Sequence, residues 1–167
     1  MILCPLQSPC RITQRFGARP KVYGKGGHDG IDFSGKFVGM IVPAYAPFDS
    51  TVKDVIYSAR GFGNHIVLWT QPNQNNHRRE ILMGHFSSIG VTKGQWVNLG
   101  DEVGKIGKTG FADGVHLHMR VRYVIKNGTV VNARNGHDGH FDYLPYLLFW
   151  NKDPSMVVFE DAFSALI

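Results

Sequence analysis

Val115-His116-Leu117-His118-Met119-Arg120-Val121-Arg122-Tyr123-Val124-Ile125 alternates apolar and polar residues and is rich in β-branched and aromatic side chains. It then meets Asn127-Gly128 and resumes as Thr129-Val130-Val131. Asn-Gly between two such runs is the strongest short-range hairpin signal, because both positions tolerate the positive φ of a tight turn. The stretch predicts a strand over residues 115–125, a turn, and a returning segment over 129–131. Working outward, residues 11–16, 51–57, 64–70, 80–85 and 102–106 read as further strands, punctuated by many of the 20 glycines. Helical periodicity is scarce, so the expected fold class is mainly β, with antiparallel sheet, long loops and little helix. Residues 19–27, with Pro20 and three glycines, and the Asn/Gln-rich residues 71–79 read as long loops at the rim of the sheet. The aromatic segment 141–150 reads as a short helix or extended arm that docks on the domain, ended by Asp153-Pro154.

The chain has 167 residues, 43% hydrophobic and 19% charged, enough apolar surface for one substantial core. One domain over residues 1–167 is expected, with 132–167 packing on it as an extension, and a monomer is the expected state. Eighteen basic residues stand against 13 acidic, a net charge of +5. This favours polyanionic partners, yet the sequence carries no nucleic-acid reading motif, so none is expected. Apolar runs at 41–48 and 143–150 fall far short of the ~20 residues that span a bilayer. Residues 1–10 lack the basic and apolar regions of a conventional signal peptide. Cys4 and Cys10 are close in sequence, but spacing alone leaves both the thiol and the disulfide open.

The chemistry concentrates in histidines. His28 and Asp32 stand four apart within Gly26-Gly27-His28-Asp29-Gly30-Ile31-Asp32-Phe33, where the glycines argue against helix. An extended chain puts both side chains on one face. His116 and His118 flank Leu117, and a strand directs both imidazoles to one side. A third element, Met83-Gly84-His85-Phe86, closes an apolar strand. Catalytic zinc takes three protein ligands, imidazole nitrogen or carboxylate oxygen, and keeps an open position. His28, Asp32 and one of His116 and His118 satisfy that count. One carboxylate leaves the ion a Lewis acid fit for amide hydrolysis.

In these residues the sequence resembles the M23 family of zinc metallopeptidases, the lysostaphin-like peptidoglycan endopeptidases. The resemblance runs over residues 12–121. It is carried in order by Phe16-Gly17, His28-Asp29-Gly30-Ile31-Asp32, Val42-Pro43-Ala44-Tyr45-Ala46-Pro47, Gly63-Asn64-His65, Gly84-His85-Phe86, Gly104-Lys105-Ile106-Gly107 and His116-Leu117-His118. It implies one Zn2+ per chain held by His28, Asp32 and His118, with His85 and His116 assisting catalysis and peptidoglycan as the substrate. The site of action is then the bacterial cell wall or periplasm. The compact form is similar to phage-encoded lysins, for which a holin or the virion supplies access. Val115, Phe86 and Met119-Arg120 depart from the family pattern and are expected to alter pocket walls rather than ligands.

Competing readings are weaker. No H-E-x-x-H helix occurs, which removes the zincin arrangement. The short interval from His28 to Asp32, and Asp113 in place of a glutamate, disfavour a D-Ala-D-Ala carboxypeptidase. No modifiable-lysine hairpin suggests a biotinyl carrier. The rival of substance is a non-catalytic wall-binding or regulatory domain on the same fold. His65 reads as a rim residue, His77 as a solvated loop residue, and His137 and His140 as members of a flexible polar loop, with a second metal site as the alternative. Tyr23 and Tyr45 are the aromatic candidates for the cleft.

Overall fold

The structure is a computed structural model and describes residues 1–150 apart from Ser8, Lys25 and Val38. In chain order its strands begin with β1 (Ile2–Leu3), β2 (Cys10–Gln14), β3 (Ile31–Gly35), β4 (Pro43–Tyr45), β5 (Ser50–Ile56) and β6 (His65–Trp69). They continue with β7 (His77–Gly84), β8 (Phe86–Ile89), β9 (Trp96–Val97), β10 (Glu102–Ile106), β11 (Leu117–Ile125) and β12 (Leu147–Leu148). Helix is confined to one turn at Pro20–Tyr23 and a 3-10 turn at Leu144–Tyr146 among the described residues. The fold is mainly β, as the alternating pattern implies.

Seven strands form one antiparallel sheet in the order β2-β3-β11-β7-β6-β5-β9, and β4-β10-β8 form a second. Along β11, Leu117, Met119 and Val121 are buried in the core, while the intervening His118, Arg120 and Arg122 point to the other face. Phe33, Ile66, Leu68, Ile81 and Met83 from the large sheet join Ala44, Phe86, Val103 and Ile106 from the small one in a single apolar cluster. β11 pairs with β7 over eight positions, from His118 opposite Gly84 to Ile125 opposite His77. It pairs with β3 over only three, Leu117 with Phe33, His118 with Asp32 and Met119 with Ile31.

Several sequence expectations shift. β7 begins at His77, not 80, so His77 is a strand residue. The polar start of this strand is held by cross-strand contacts rather than by apolar burial: the Arg78 guanidinium lies 4.6 Å from the Trp69 ring centre, and that of Arg79 lies 4.7 Å from Phe48. The same strand stops at Gly84, because His85 has φ +65° and turns the chain into β8 of the other sheet. The segment after Asn127-Gly128 contributes one bridge, Val124 with Val130. β1 and β12 run parallel, an exception to the antiparallel rule. Segment 141–150 combines the two forms expected of it, the 3-10 turn and then β12, while Asp153-Pro154 lies outside the described residues.

Tyr143 is fully buried and donates its hydroxyl to the Met119 carbonyl at 2.7 Å. Trp150 Nε1 donates to the Cys4 carbonyl at 2.9 Å. The Cys4 and Cys10 sulfurs lie 3.3 Å apart as thiols. No helix among the described residues is long and apolar enough to cross a membrane. Tyr143→Phe removes the tether on the strand that carries His118 while keeping the ring. A loss of about 1 kcal/mol in unfolding free energy is expected, measured by urea denaturation.

Candidate metal centre

The β3–β11 register sets Asp32 directly across from His118. His28 reaches the same point from outside the strand. Its amide donates to the Ala18 carbonyl and its carbonyl accepts from the Gly17 amide, each at 2.8 Å. A shared extended face, the sequence expectation for His28 and Asp32, is therefore not what unites them. The chain bends at Asp29-Gly30, and the strand begins only at Ile31. Gly30 lets this segment lie close against β11: a Cβ there would lie 2.5 Å from the Met119 carbonyl oxygen and 2.7 Å from Cε1 of His118.

Three donor atoms converge as a result. His28 Nε2 lies 3.0 Å from His118 Nδ1, His118 Nδ1 lies 3.0 Å from Asp32 Oδ1, and Asp32 Oδ1 lies 3.1 Å from His28 Nε2. Ligand atoms ~2.0–2.1 Å from one tetrahedral zinc sit ~3.4 Å from each other, so the triangle has the shape the ion needs and is a few tenths of an ångström tighter. The chemistry agrees. Nδ1 of His28 faces the Arg15 carbonyl at 3.2 Å, so a neutral His28 carries its proton there and turns a lone pair toward the triangle. A carboxylate oxygen and two imidazole nitrogens with at most one proton among them form a cradle for a cation. His28, Asp29 and His118 form a second candidate group, with ligand atoms within 4.8 Å. The Asp32 set is tighter and uses the nitrogen of His118 that faces His28.

His85 and His116 stand beside this triangle with ring centres 4.6 Å apart. Their Nδ1 atoms lie 2.8 Å from the Thr109 carbonyl and 2.9 Å from the Gly114 carbonyl, respectively. Each carbonyl accepts a hydrogen bond from Nδ1–H, which leaves Nε2 as the basic nitrogen. His116 Nε2 lies 3.8 Å from Asp32 Oδ2. The left-handed backbone of His85 is fixed by its amide, which donates to the Phe62 carbonyl at 2.7 Å.

Burial opposes ionisation of Asp32, but hydrogen bonds from His118 and His28, together with their charges, hold its carboxyl well below the usual range. Burial lowers His118 against the pull of Asp32. Burial also lowers His85 to about 4, reinforced by the neighbouring His116 and His118. All five sequence-nominated residues line one cleft of about 690 Å³, with Tyr23 and the 78% exposed Phe111 at its margin.

Other nominations fall elsewhere. Tyr45 packs edge-on against Trp150 at 5.0 Å and is not part of the cleft lining. His140 is 3% exposed and its ring nitrogen is held by the His137 carbonyl, so it is a buried anchor and not a member of a flexible loop. His65 turns its ring nitrogen to the Gly63 carbonyl. Phe86 and Met119 are core residues, so those departures from the family pattern alter packing, not pocket walls. The residues the sequence did not single out are Asp29 and Phe62. The signal for Asp29 was its place between His28 and Gly30 in a chain that also carries Arg120.

An antiparallel β domain with a histidine and carboxylate cradle at the end of its central strand is the class these features define. The chain belongs to peptidase family M23, whose profile matches residues 26–139. It is 34% identical over 131 residues to an uncharacterised metalloprotease of Haemophilus influenzae, covering 77% of this chain and 25% of that protein. It is 31% identical over 135 residues to the peptidoglycan DD-endopeptidase ShyA of Vibrio cholerae, covering 77% and 28%. The chain thus spans about a quarter of the length of these relatives. Among solved structures, a point mutant of the catalytic domain of EnpA, a prophage-encoded M23 protein from Enterococcus faecalis, aligns with a TM-score of 0.57. Its identity is 31%, over 77% of this chain and 92% of that one.

His85 and His140 are both lowered to about 4, mainly by burial, from an ordinary 6.5. The unfolded chain therefore takes up their protons first as pH falls. Stability is full above about 6.5 and is lost progressively toward about 4. Thermal melts of the metal-free protein should show this decline, with a smaller slope in His140→Gln.

Proposed function

We propose that the protein is a zinc-dependent endopeptidase that hydrolyses peptide cross-links or stem-peptide bonds of bacterial peptidoglycan. The observation that carries the reading is the donor triangle facing two histidines whose Nδ1 atoms are both tied to backbone carbonyls, all within one cleft. His28, Asp32 and His118 hold the zinc. The ion supplies Lewis acidity, polarising the scissile carbonyl and making water a better nucleophile.

The remaining work belongs to the side chains. His85 and His116, each with Nδ1 tied to a backbone carbonyl and Nε2 left available, take the proton of the attacking water and return it to the departing amine nitrogen. Their fixed tautomers mean that no ring has to reorient before the proton moves. Held well below the usual carboxylate range, Asp32 is ionised and offers one oxygen as a ligand while keeping a negative charge beside His116.

The wall as substrate is supported by the name of the Vibrio cholerae relative and by the net charge of +5, which suits an anionic polymer. The prophage-encoded structural relative supports a phage-derived lysin, reaching the wall through a holin or the virion. In this reading residues 1–167 form one domain that acts as a monomer.

His118→Ala is expected to remove both zinc and activity. His85→Ala and His116→Ala keep the zinc and lose turnover by about 10²–10⁴-fold. Metal analysis of the purified variants and mass spectrometry of muropeptides released from sacculi read the two effects. Equal loss of metal in all three would overturn the roles. Activity should also fall in mild acid, because protons compete for His28 and His118. His85 stays neutral down to about 4. His85 therefore does not set the acid limb, and the part of it that metal loss sets should move to lower pH with added zinc in a pH–rate profile.

A further inference from the structure

Of the four histidines assigned to the metal centre, three have Nδ1 directed at a backbone carbonyl: His28 at Arg15, His85 at Thr109 and His116 at Gly114. His118 is the exception. Its Nδ1 is committed to the triangle, and its Nε2 is buried with no hydrogen-bond partner. A neutral imidazole whose Nδ1 is a ligand must carry its only N–H on Nε2. The charged group facing that atom is Asp29, whose Oδ1 lies 3.4 Å away. The other oxygen of Asp29 accepts a hydrogen bond from Arg120 Nη1. The Arg120 guanidinium lies 4.3 Å from the centre of the Phe62 ring, and that ring stacks on His118 at 5.1 Å with planes 28° apart. His118 is thus bracketed by an aromatic face and a carboxylate, and both are braced by one arginine.

We propose that Asp29, held by Arg120, is a positioning residue that accepts the Nε2–H of His118 and so fixes the tautomer in which Nδ1 binds metal. A carboxylate behind a ligating imidazole sets its orientation and raises its basicity, and removing such a partner typically lowers metal affinity about 10–100-fold. Asp29 suits the role better than that of ligand. Its carboxylate is already engaged by Arg120, and Asp32 Oδ1 is the carboxylate oxygen within 3.1 Å of both His28 Nε2 and His118 Nδ1. The arrangement also gives Met119-Arg120 a meaning. Met119 fills the core, and Arg120, one residue on, emerges on the face of His118. The inference rests on His118 being a ligand, so the test must separate the two ideas.

Zinc affinity is measured by competition with a chromophoric chelator for the wild type, Asp29→Ala, Asp29→Asn, Arg120→Met, the double variant Asp29→Ala/Arg120→Met, Asp32→Ala and His118→Ala. Long-range 1H–15N spectra of the zinc-loaded protein report the His118 tautomer. Asp29→Ala is expected to weaken zinc about 10–100-fold, and Asp29→Asn to weaken it less, since its amide oxygen still accepts the bond. Arg120→Met should weaken zinc in the wild-type background and add little to Asp29→Ala. The Nε2–H signal of His118 should be sharp in the wild type and exchange-broadened in Asp29→Ala. Wild-type affinity and an unchanged spectrum in Asp29→Ala, even with a lowered melting temperature, would reduce the pair to a structural ion pair and overturn the proposal. Abolished binding in Asp29→Ala with binding retained in Asp32→Ala would make Asp29 the ligand and overturn it too. Unchanged binding in His118→Ala would overturn the metal-site reading itself.

Discussion

The pairing of His118 with Asp32 across β11 and β3 is the constraint on which the site depends. Strand register is discrete: a slip of one residue turns every side chain to the opposite face. Here such a slip would send His118 into the core and bring Leu117 or Met119 to the cleft. The core prevents it, because Leu117, Met119 and Val121 alternate with the functional residues and are buried against Phe33, Ile81 and Met83. Apolar burial therefore fixes the position of a polar site. The short β3 needs only three paired positions, since β7 holds β11 along nearly its whole length on the other side.

Backbone carbonyls do the rest of the ordering. Those of Arg15, Thr109 and Gly114 each claim one imidazole nitrogen and dictate where the other points. These carbonyls come from two loops, Arg15 from the one that follows β2 and Thr109 and Gly114 from the one between β10 and β11, and both must hold their shape. At the Gly63–Gly110 contact a Cβ on Gly110 would lie 2.3 Å from the Gly63 amide nitrogen, so the two chains touch backbone to backbone. Thr109 strengthens the junction: the Asn64 amide donates to its hydroxyl at 2.9 Å, and that hydroxyl donates to the Phe86 carbonyl at 3.0 Å. The loop that orients His85 is thereby bonded to Phe86, the residue after the strand break, and to Asn64, whose carbonyl accepts from the Phe86 amide.

Much of this was legible in the sequence. Alternation identified β11, and residue spacing brought His28, Asp32, His85, His116 and His118 into view, all of which line one cleft. What remained hidden has physical reasons. β1, β9 and β12 are two residues long, too short for any period to show. The start of β7 is polar and is held by arginine–aromatic contacts that exist only across strands. The break at His85 follows an ordinary glycine and shows itself only as a positive φ. Carbonyl partners are invisible to any motif because every residue has a carbonyl. Asp29 was in plain sight but had no meaning until Arg120, 91 positions away, was placed against it.

The backbone of His85 carries a wider consequence. A branched-ring residue held at φ +65° is at a position that glycine would occupy without strain. Laboratory evolution toward heat resistance alone would be drawn to that codon early, since a more permissive residue relieves the conformation at once. The ring facing His116 would vanish with the substitution. Given the role proposed for His85, sturdier offspring of this protein would then accumulate as inert ones, unless every round of selection also demanded turnover.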